Sequence, residues 1–214
     1  MLDIHSHKAS SNTIYNLLIQ DIGQFNGLQN QWLSVGIHPC YIADWSSQLA
    51  EVETFAVNKN VLAIGECGLD RLIELPIETQ LVVFETQVRL AQRLNKPVIV
   101  HCTKAHNDLI AWKKQRPTTV PLIVHGFNNN IHILEQLLKH DFMVSLGSAL
   151  VNVGSNASKS IQYIPLNRLF LETDNANIPI YAVYEAAAKR LNCKIDVLQK
   201  QISDNFVCEF GVHC

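Results

Sequence analysis

Val61-Leu62-Ala63-Ile64-Gly65-Glu66-Cys67-Gly68-Leu69-Asp70 is the stretch on which the fold of this chain turns. Its first residues form an unbroken apolar run, the pattern of a strand covered on both faces. The run then delivers a carboxylate, Glu66, set between two glycines that let the backbone turn and come close to a ligand. The same order recurs elsewhere. Val98-Ile99-Val100 ends on His101, and Leu122-Ile123-Val124 ends on His125. Leu169-Phe170-Leu171 ends on Glu172-Thr173-Asp174, and Met1-Leu2-Asp3-Ile4 on His5-Ser6-His7. Apolar strands that all end in His, Glu or Asp describe a parallel barrel with one polar mouth, where barrel enzymes keep their active sites.

Working outward, strand-like runs lie at Leu2–His5, Thr13–Ile19, Trp32–Gly36, Val61–Gly65, Val98–His101, Leu122–His125, Phe142–Leu146 and Leu169–Glu172. Helical spacing of apolar residues fills the gaps at Ser46–Asn58, Ile77–Leu94, Ala105–Lys114, Asn130–His140, Tyr181–Leu191 and Asp196–Phe210. This alternation predicts an α/β fold in a single domain spanning residues 1–214. The first third departs from it. Only a few residues separate the first two strands, where a parallel crossover takes about a dozen. Gln20–Gln31 is polar and reads as non-helical, and Ala149–Pro165 is weakly patterned. The barrel is therefore expected to be trimmed of helices early, with one early strand open to an antiparallel course. A complete eight-fold barrel takes about 250 residues, and this chain has 214.

The net charge is −2, so the chain lacks the broad basic footprint of a tight, non-specific nucleic-acid binder. Any action on nucleic acid must rest on a local site. The six cysteines form no C-x-x-C pair, which argues against a zinc ribbon and for free thiols in a reducing compartment. With no signal segment and no membrane-spanning window visible, the expectation is a soluble, cytoplasmic protein.

His5 and His7 occupy alternate positions of an extended segment, so both rings can reach one ion. Asp3 shares that face and can orient a histidine from behind. Glu66 can bridge two metals, and His101 and His125 close successive strands level with it. Asp174 can bind metal and take a proton from bound water. Gly36-Ile37-His38-Pro39 brings another histidine to a strand end, where it can touch a substrate phosphate or serve the fold alone. His106, His132, His140 and His213 read as solvated, and Cys67 and Cys102 as packing residues.

In order along the chain, Asp3-x-His5-x-His7, Gly36-x-His38-Pro39, Gly65–Asp70, His101, His125, Glu172-Thr173-Asp174 and Asn205-Phe206 resemble the TatD family of metal-dependent hydrolases. The resemblance covers nearly the whole chain. It implies a distorted TIM-type barrel and, for most members, deoxyribonuclease activity. It also implies two divalent ions, Zn, Mn or Mg. His5, His7, Glu66 and Asp174 would hold one; Glu66, His101 and His125 would hold the second. Asp3, Asp70 and Glu172 would steady these ligands from behind. The chain departs from the family pattern in three places. Cys102-Thr103-Lys104 follows His101 where an arginine is usual. His125-Gly126-Phe127-Asn128-Asn129 replaces an H-C-F-S/T-G run. Asn175-Ala176-Asn177 precedes the displaced Pro179.

The resulting expectation is a two-metal phosphodiesterase that cleaves DNA from an end, acting on single strands or strand ends. Asp174 and Glu66 would be its catalytic carboxylates, and His38 and Lys104 its phosphate contacts. Two other readings stay open: a hydrolase of small amides, lactones or phosphoesters, and a non-catalytic nucleic-acid-binding or scaffold protein. No obligate protein partner is legible.

Overall fold

The computed structural model describes residues 1–24 and 31–212. One sheet holds eight strands in chain order. They are β1 Asp3–Ser6, β2 Thr13–Leu18, β3 Trp32–Gly36, β4 Val61–Asp70, β5 Val98–Thr103, β6 Leu122–Val124, β7 Phe142–Leu146 and β8 Leu169–Leu171. Every neighbouring pair is parallel. The ring meets itself where Ser6 and Asp174 form a parallel bridge. There Asp174 N donates to His5 O at 2.9 Å and His7 N donates to Asp174 O at 3.2 Å. The helices are α1 Trp45–Ala56, α2 Ile77–Leu94, α3 His106–Lys114, α4 Ile131–Lys139, α5 Asn156–Ser160, α6 Ile180–Leu191 and α7 Ile195–Phe210. The whole is an α/β barrel of the TIM type.

Local chemistry explains the helix ends. Asp44 and Asn130 cap α1 and α4 by accepting from Ser47 N and Ile133 N, satisfying donors that a first turn leaves open. Asn95 ends α2 in the left-handed conformation, with φ of 50°, a role asparagine fills readily. The longest stripe, on α2, buries Val83, Phe84, Val88 and Ala91. It also buries two glutamines whose amides fasten strand ends. Gln87 accepts from Ile37 N at 2.6 Å and donates to Ile37 O at 3.1 Å. Gln80 accepts from Asp70 N at 2.7 Å and donates to Asp70 O at 2.9 Å. Helix α2 thus fixes the chain next to His38 and at the end of β4.

The expected antiparallel course of an early strand is overturned, since β1, β2 and β3 are all parallel. The reason is length. β1 has only four residues, roughly 13 Å of rise. Residues 7–12 can span roughly 20 Å when extended, enough to return without a helix. Asn12 makes the final turn at φ 58°. The early trimming itself is present, because no α-helix precedes Trp45 among the described residues. The connector read as non-helical begins with a 3-10 helix over Ile19–Gln24, and residues 25–30 of it lie outside the described residues. Ala149–Pro165 holds short pieces, α5 among them. Among the described residues no helix is long and apolar enough to cross a membrane.

The largest change concerns the opening motif. β4 does not stop at Gly65 but runs through Asp70, with a register shift against β5 between Ile64 and Cys67. A Cβ on Gly65 would meet Ile99 O at 2.4 Å, and one on Gly68 would meet His101 O at 1.9 Å. Only glycine permits so close an approach. The bulged strand is what carries Glu66 beside His101.

Candidate metal centre

Glu66 lies at the middle of the mouth and is buried. Its two oxygens face different sides. Oε1 lies 2.7 Å from His101 Nδ1, 2.7 Å from His125 Nε2 and 3.4 Å from His38 Nε2. Oε2 lies 3.4 Å from His5 Nε2 and 3.7 Å from His7 Nε2. Asp174 completes that second side, with Oδ1 at 3.6 Å from His5 Nε2 and 3.5 Å from His7 Nε2. A left-handed backbone at Asp174, φ 52°, turns the chain just past β8 and sets this carboxylate beside the two rings.

Three sets of donor atoms lie close enough to share an ion: His5, His7 and Asp174; His5, Glu66 and His125; and His38, Glu66 and His101. All six expected ligands are therefore brought together. His125 stands between the two sides: it groups with His5 and Glu66, and its Nε2 lies 2.7 Å from the Oε1 that His101 also meets. His38, expected at the substrate, joins Glu66 and His101. Lys104 is exposed at the end of β5.

Behind these side chains lie the three carboxylates expected to support them, Asp70, Glu172 and Asp3. Asp70 Oδ2 lies 3.2 Å from His101 Nε2, with Thr103 Oγ1 at 3.1 Å from the same nitrogen. Glu172 Oε1 lies 3.3 Å from His125 Nδ1 and accepts from Gly126 N at 2.7 Å. Asp3 accepts from His5 N at 3.3 Å and from Thr173 N at 3.1 Å and Thr173 Oγ1 at 2.6 Å. Burial pushes the Asp3 carboxyl up to about 6, against the lowering pull of the Thr173 bonds. Burial also works to raise Glu66, but His125, His101 and His38 outweigh it and hold that carboxyl well below its usual range.

Several residues that sequence reasoning passed over belong to this mouth. Asn16 on β2 accepts from Glu66 N at 2.9 Å and donates to Glu66 Oε2 at 3.2 Å. Ser34 on β3 donates to Asn16 Oδ1 at 3.3 Å. The signal was present: Asn16 precedes Leu17-Leu18 within a strand and Ser34 lies between Leu33 and Val35, and polar residues so placed are buried only with partners. His106, read as solvated, is half-buried and lies 3.4 Å through Nδ1 from Asn129 Nδ2. Burial lowers its pKa, helped by His101 and Lys104. His140 is also half-buried, whereas His132 is exposed as expected. His213 and Cys214 lie outside the described residues. Cys67 is buried and Cys102 half-buried, and neither is paired. Asn205 serves the fold, donating to Leu166 O at 2.7 Å and Leu169 O at 3.0 Å.

The residues fit a divalent metal. His5 is wholly buried, and neither ring nitrogen has a hydrogen-bond partner among the described residues. Its Nε2 is near two carboxylates without the geometry of a bond to either. A buried nitrogen left this way is costly unless something ligates it. Neutral imidazole and carboxylate together suit first-row divalent ions and magnesium.

Fold and site define a parallel barrel with a histidine–carboxylate centre at the C-terminal ends of its strands. The comparisons narrow this. A family profile described as TatD related DNase matches residues 19–211. The 3'-5' ssDNA/RNA exonuclease TatD of Erwinia billingiae is 34% identical over 149 residues, covering 67% of this chain and 57% of that protein. The protein of the same description from Pectobacterium atrosepticum is 31% identical over 184 residues, covering 81% of this chain and 69% of that protein. The chain thus spans little more than half to two thirds of these curated relatives. Among solved structures, the TatD homologue YjjV of Escherichia coli K12 superposes with a TM-score of 0.82 at 23% identity, covering 94% of this chain and 86% of that one. An uncharacterised amidohydrolase of Saccharomyces cerevisiae shares the fold with a TM-score of 0.71 at 13% identity, covering 98% of this chain and 100% of that one. The chain belongs to the TatD family.

Proposed function

We propose that this protein is a metal-dependent phosphodiesterase that shortens single-stranded DNA or RNA from an end. The observation that carries the reading is the convergence of His5, His7, His38, His101 and His125 on Glu66, with Asp174 alongside. The relatives' exonuclease descriptions support the substrate class. Two divalent ions would be held, one nearer His5, His7 and Asp174 and one nearer His38 and His101, with Glu66 and His125 between. Bound there, they would supply Lewis acidity to the phosphate and to an attacking water. The chain's own residues do the rest. Glu66 spaces the two sides. Asp70, Glu172 and Asp3 hold His101, His125 and His5 in place. Asp174, with a side chain 40% exposed, is the carboxylate open to solvent and takes the water's proton. Lys8, which donates to Asn177 Oδ1 at 3.1 Å, and Lys104 give the rim local positive charge suited to a strand end. The described cysteines are unpaired, which suits a reducing, cytoplasmic setting.

The test is digestion of end-labelled DNA and RNA oligonucleotides, single-stranded and duplex, by protein loaded with Mg, Mn or Zn. Stepwise loss from the 3' end of single strands is the expected result. Loaded protein that shortens none of them, yet hydrolyses small esters or amides, would replace this reading with a small-molecule hydrolase.

The ligands also predict proton release. Burial and His125 push the His5 pKa down, but the Asp174 and Glu66 carboxylates prevail and raise it to about 9. His125 is held well above its usual value by Glu66 and Glu172, against its burial. In the metal-free protein His5 therefore carries its proton at neutral pH, and His125 is shifted in the same direction. A ligating imidazole must be neutral, so metal displaces these protons and binds more weakly as pH falls. Calorimetric titration with zinc in buffers of different ionisation enthalpy should show protons leaving the protein. Zinc binding without proton release would remove these rings from the ligand set.

A further inference from the structure

The two oxygens of Glu66 do not have equivalent surroundings. Oε1 is gripped by two rings at 2.7 Å, His101 and His125. Oε2 has no ring closer than 3.4 Å among the described residues. Among the described residues its one hydrogen bond is from Asn16 Nδ2, at 3.2 Å. The orientation of that amide is forced. Asn16 Oδ1 accepts from Glu66 N at 2.9 Å and from Ser34 Oγ at 3.3 Å, so the nitrogen must face Oε2. Asn16 and Ser34 are register partners on β2 and β3, and both are buried. One amide thus ties the backbone of Glu66 to one of its own carboxylate oxygens.

We propose that Asn16 is the positioning residue that holds Glu66 Oε2, and the backbone that carries it, in place for the cation position on the Oε2 side, beside His5, His7 and Asp174. The Oε1 side keeps its hold on Glu66 through His101 and His125. The rings on Oε1 restrain the carboxylate as a whole, but among the described residues Asn16 gives the one hydrogen bond to Oε2 itself and also holds the Glu66 backbone. Removing the amide therefore loosens one side of the centre and spares the other. The proposal rests on the two-cation reading given above. It adds that the two positions depend on different parts of the barrel, one on β2 and one on β5 and β6.

The experiment is titration of metal-free protein with Co²⁺ alone, followed by visible absorption and by metal content per chain, for the wild type, Asn16→Leu and Asn16→Asp. The leucine variant removes both bonds to Glu66 and the one from Ser34 at similar volume. The aspartate variant keeps the acceptor for Glu66 N and Ser34 but replaces the donor to Oε2 with an oxygen. Wild type should take up two equivalents. In either variant one equivalent should bind as before, and the other roughly 10-fold or more weakly, the range for loss of a ligand's supporting bond. Its absorption bands should weaken with it, and thermal melting should remain cooperative. If Asn16→Leu does not fold, Asn16→Asp alone decides. Two equivalents bound with wild-type affinities, or both steps weakened together, would overturn the role given to Asn16 and leave the metal centre standing. A wild type that binds no Co²⁺ would instead overturn the metal centre itself.

Discussion

Replacing Glu66 with glutamine is expected to empty the centre and stop strand cleavage. Glutamine keeps the shape and can still meet Asn16. It removes the negative charge that five imidazoles face. Losing a group one step behind a ligand already costs about 10–100-fold in metal affinity or activity. Glu66 stands between both sides, so its loss should cost roughly 10³-fold or more in activity, beyond that range. Metal content per chain and oligonucleotide cleavage, measured on the same preparation, check this. A Glu66→Gln protein that keeps two equivalents of metal and a tenth of its activity would remove Glu66 from the centre.

Asp174→Asn should behave differently. The side chain stays the same size, and the backbone bonds to His5 O and from His7 N are untouched. What is lost is one carboxylate charge beside His5 and His7, so the assay is run at saturating metal, and the ability to accept a proton. Positioned general bases contribute typically 10²–10⁴-fold, and kcat is expected to fall by about that much. KM should change little, because Asp174 is assigned to the water and not to the strand. Single-turnover cleavage of an end-labelled single strand separates the two constants. A raised KM with kcat intact would place Asp174 in substrate binding, and the proton would need another acceptor.

Much of this architecture was legible in the sequence because it depends on strand ends. An apolar run that stops on His or Glu gives both the strand and the residue it delivers, and β3 and β7 fall where the runs place them. The course of β4 was hidden by its glycines. Gly65 and Gly68 read as a turn, yet they extend the strand by letting it touch β5. The course of β2 was hidden by a rule of connection length that assumes longer strands than β1. Asn16, Gln80 and Gln87 were missed for one shared reason. A buried amide acts through its partners, and those partners lie 10 to 50 residues away. The division of ligands between two sides is likewise set by side-chain direction, which strand-end position does not encode.

The bridge between Ser6 and Asp174 has a consequence for how the molecule comes into being. It joins residues 168 apart in the chain, and contacts so distant in sequence form late. During synthesis the first strand emerges with His5 and His7 long before the last one arrives. Until β8 docks, those histidines have no Asp174 beside them and the ring has an open edge. The same peptide groups that shut the barrel also seat Asp174. A growing or half-folded chain can therefore display most of the candidate metal-binding side chains without the carboxylate that the proposed reaction needs. On that proposal, closing the ring is the step that completes the catalytic site.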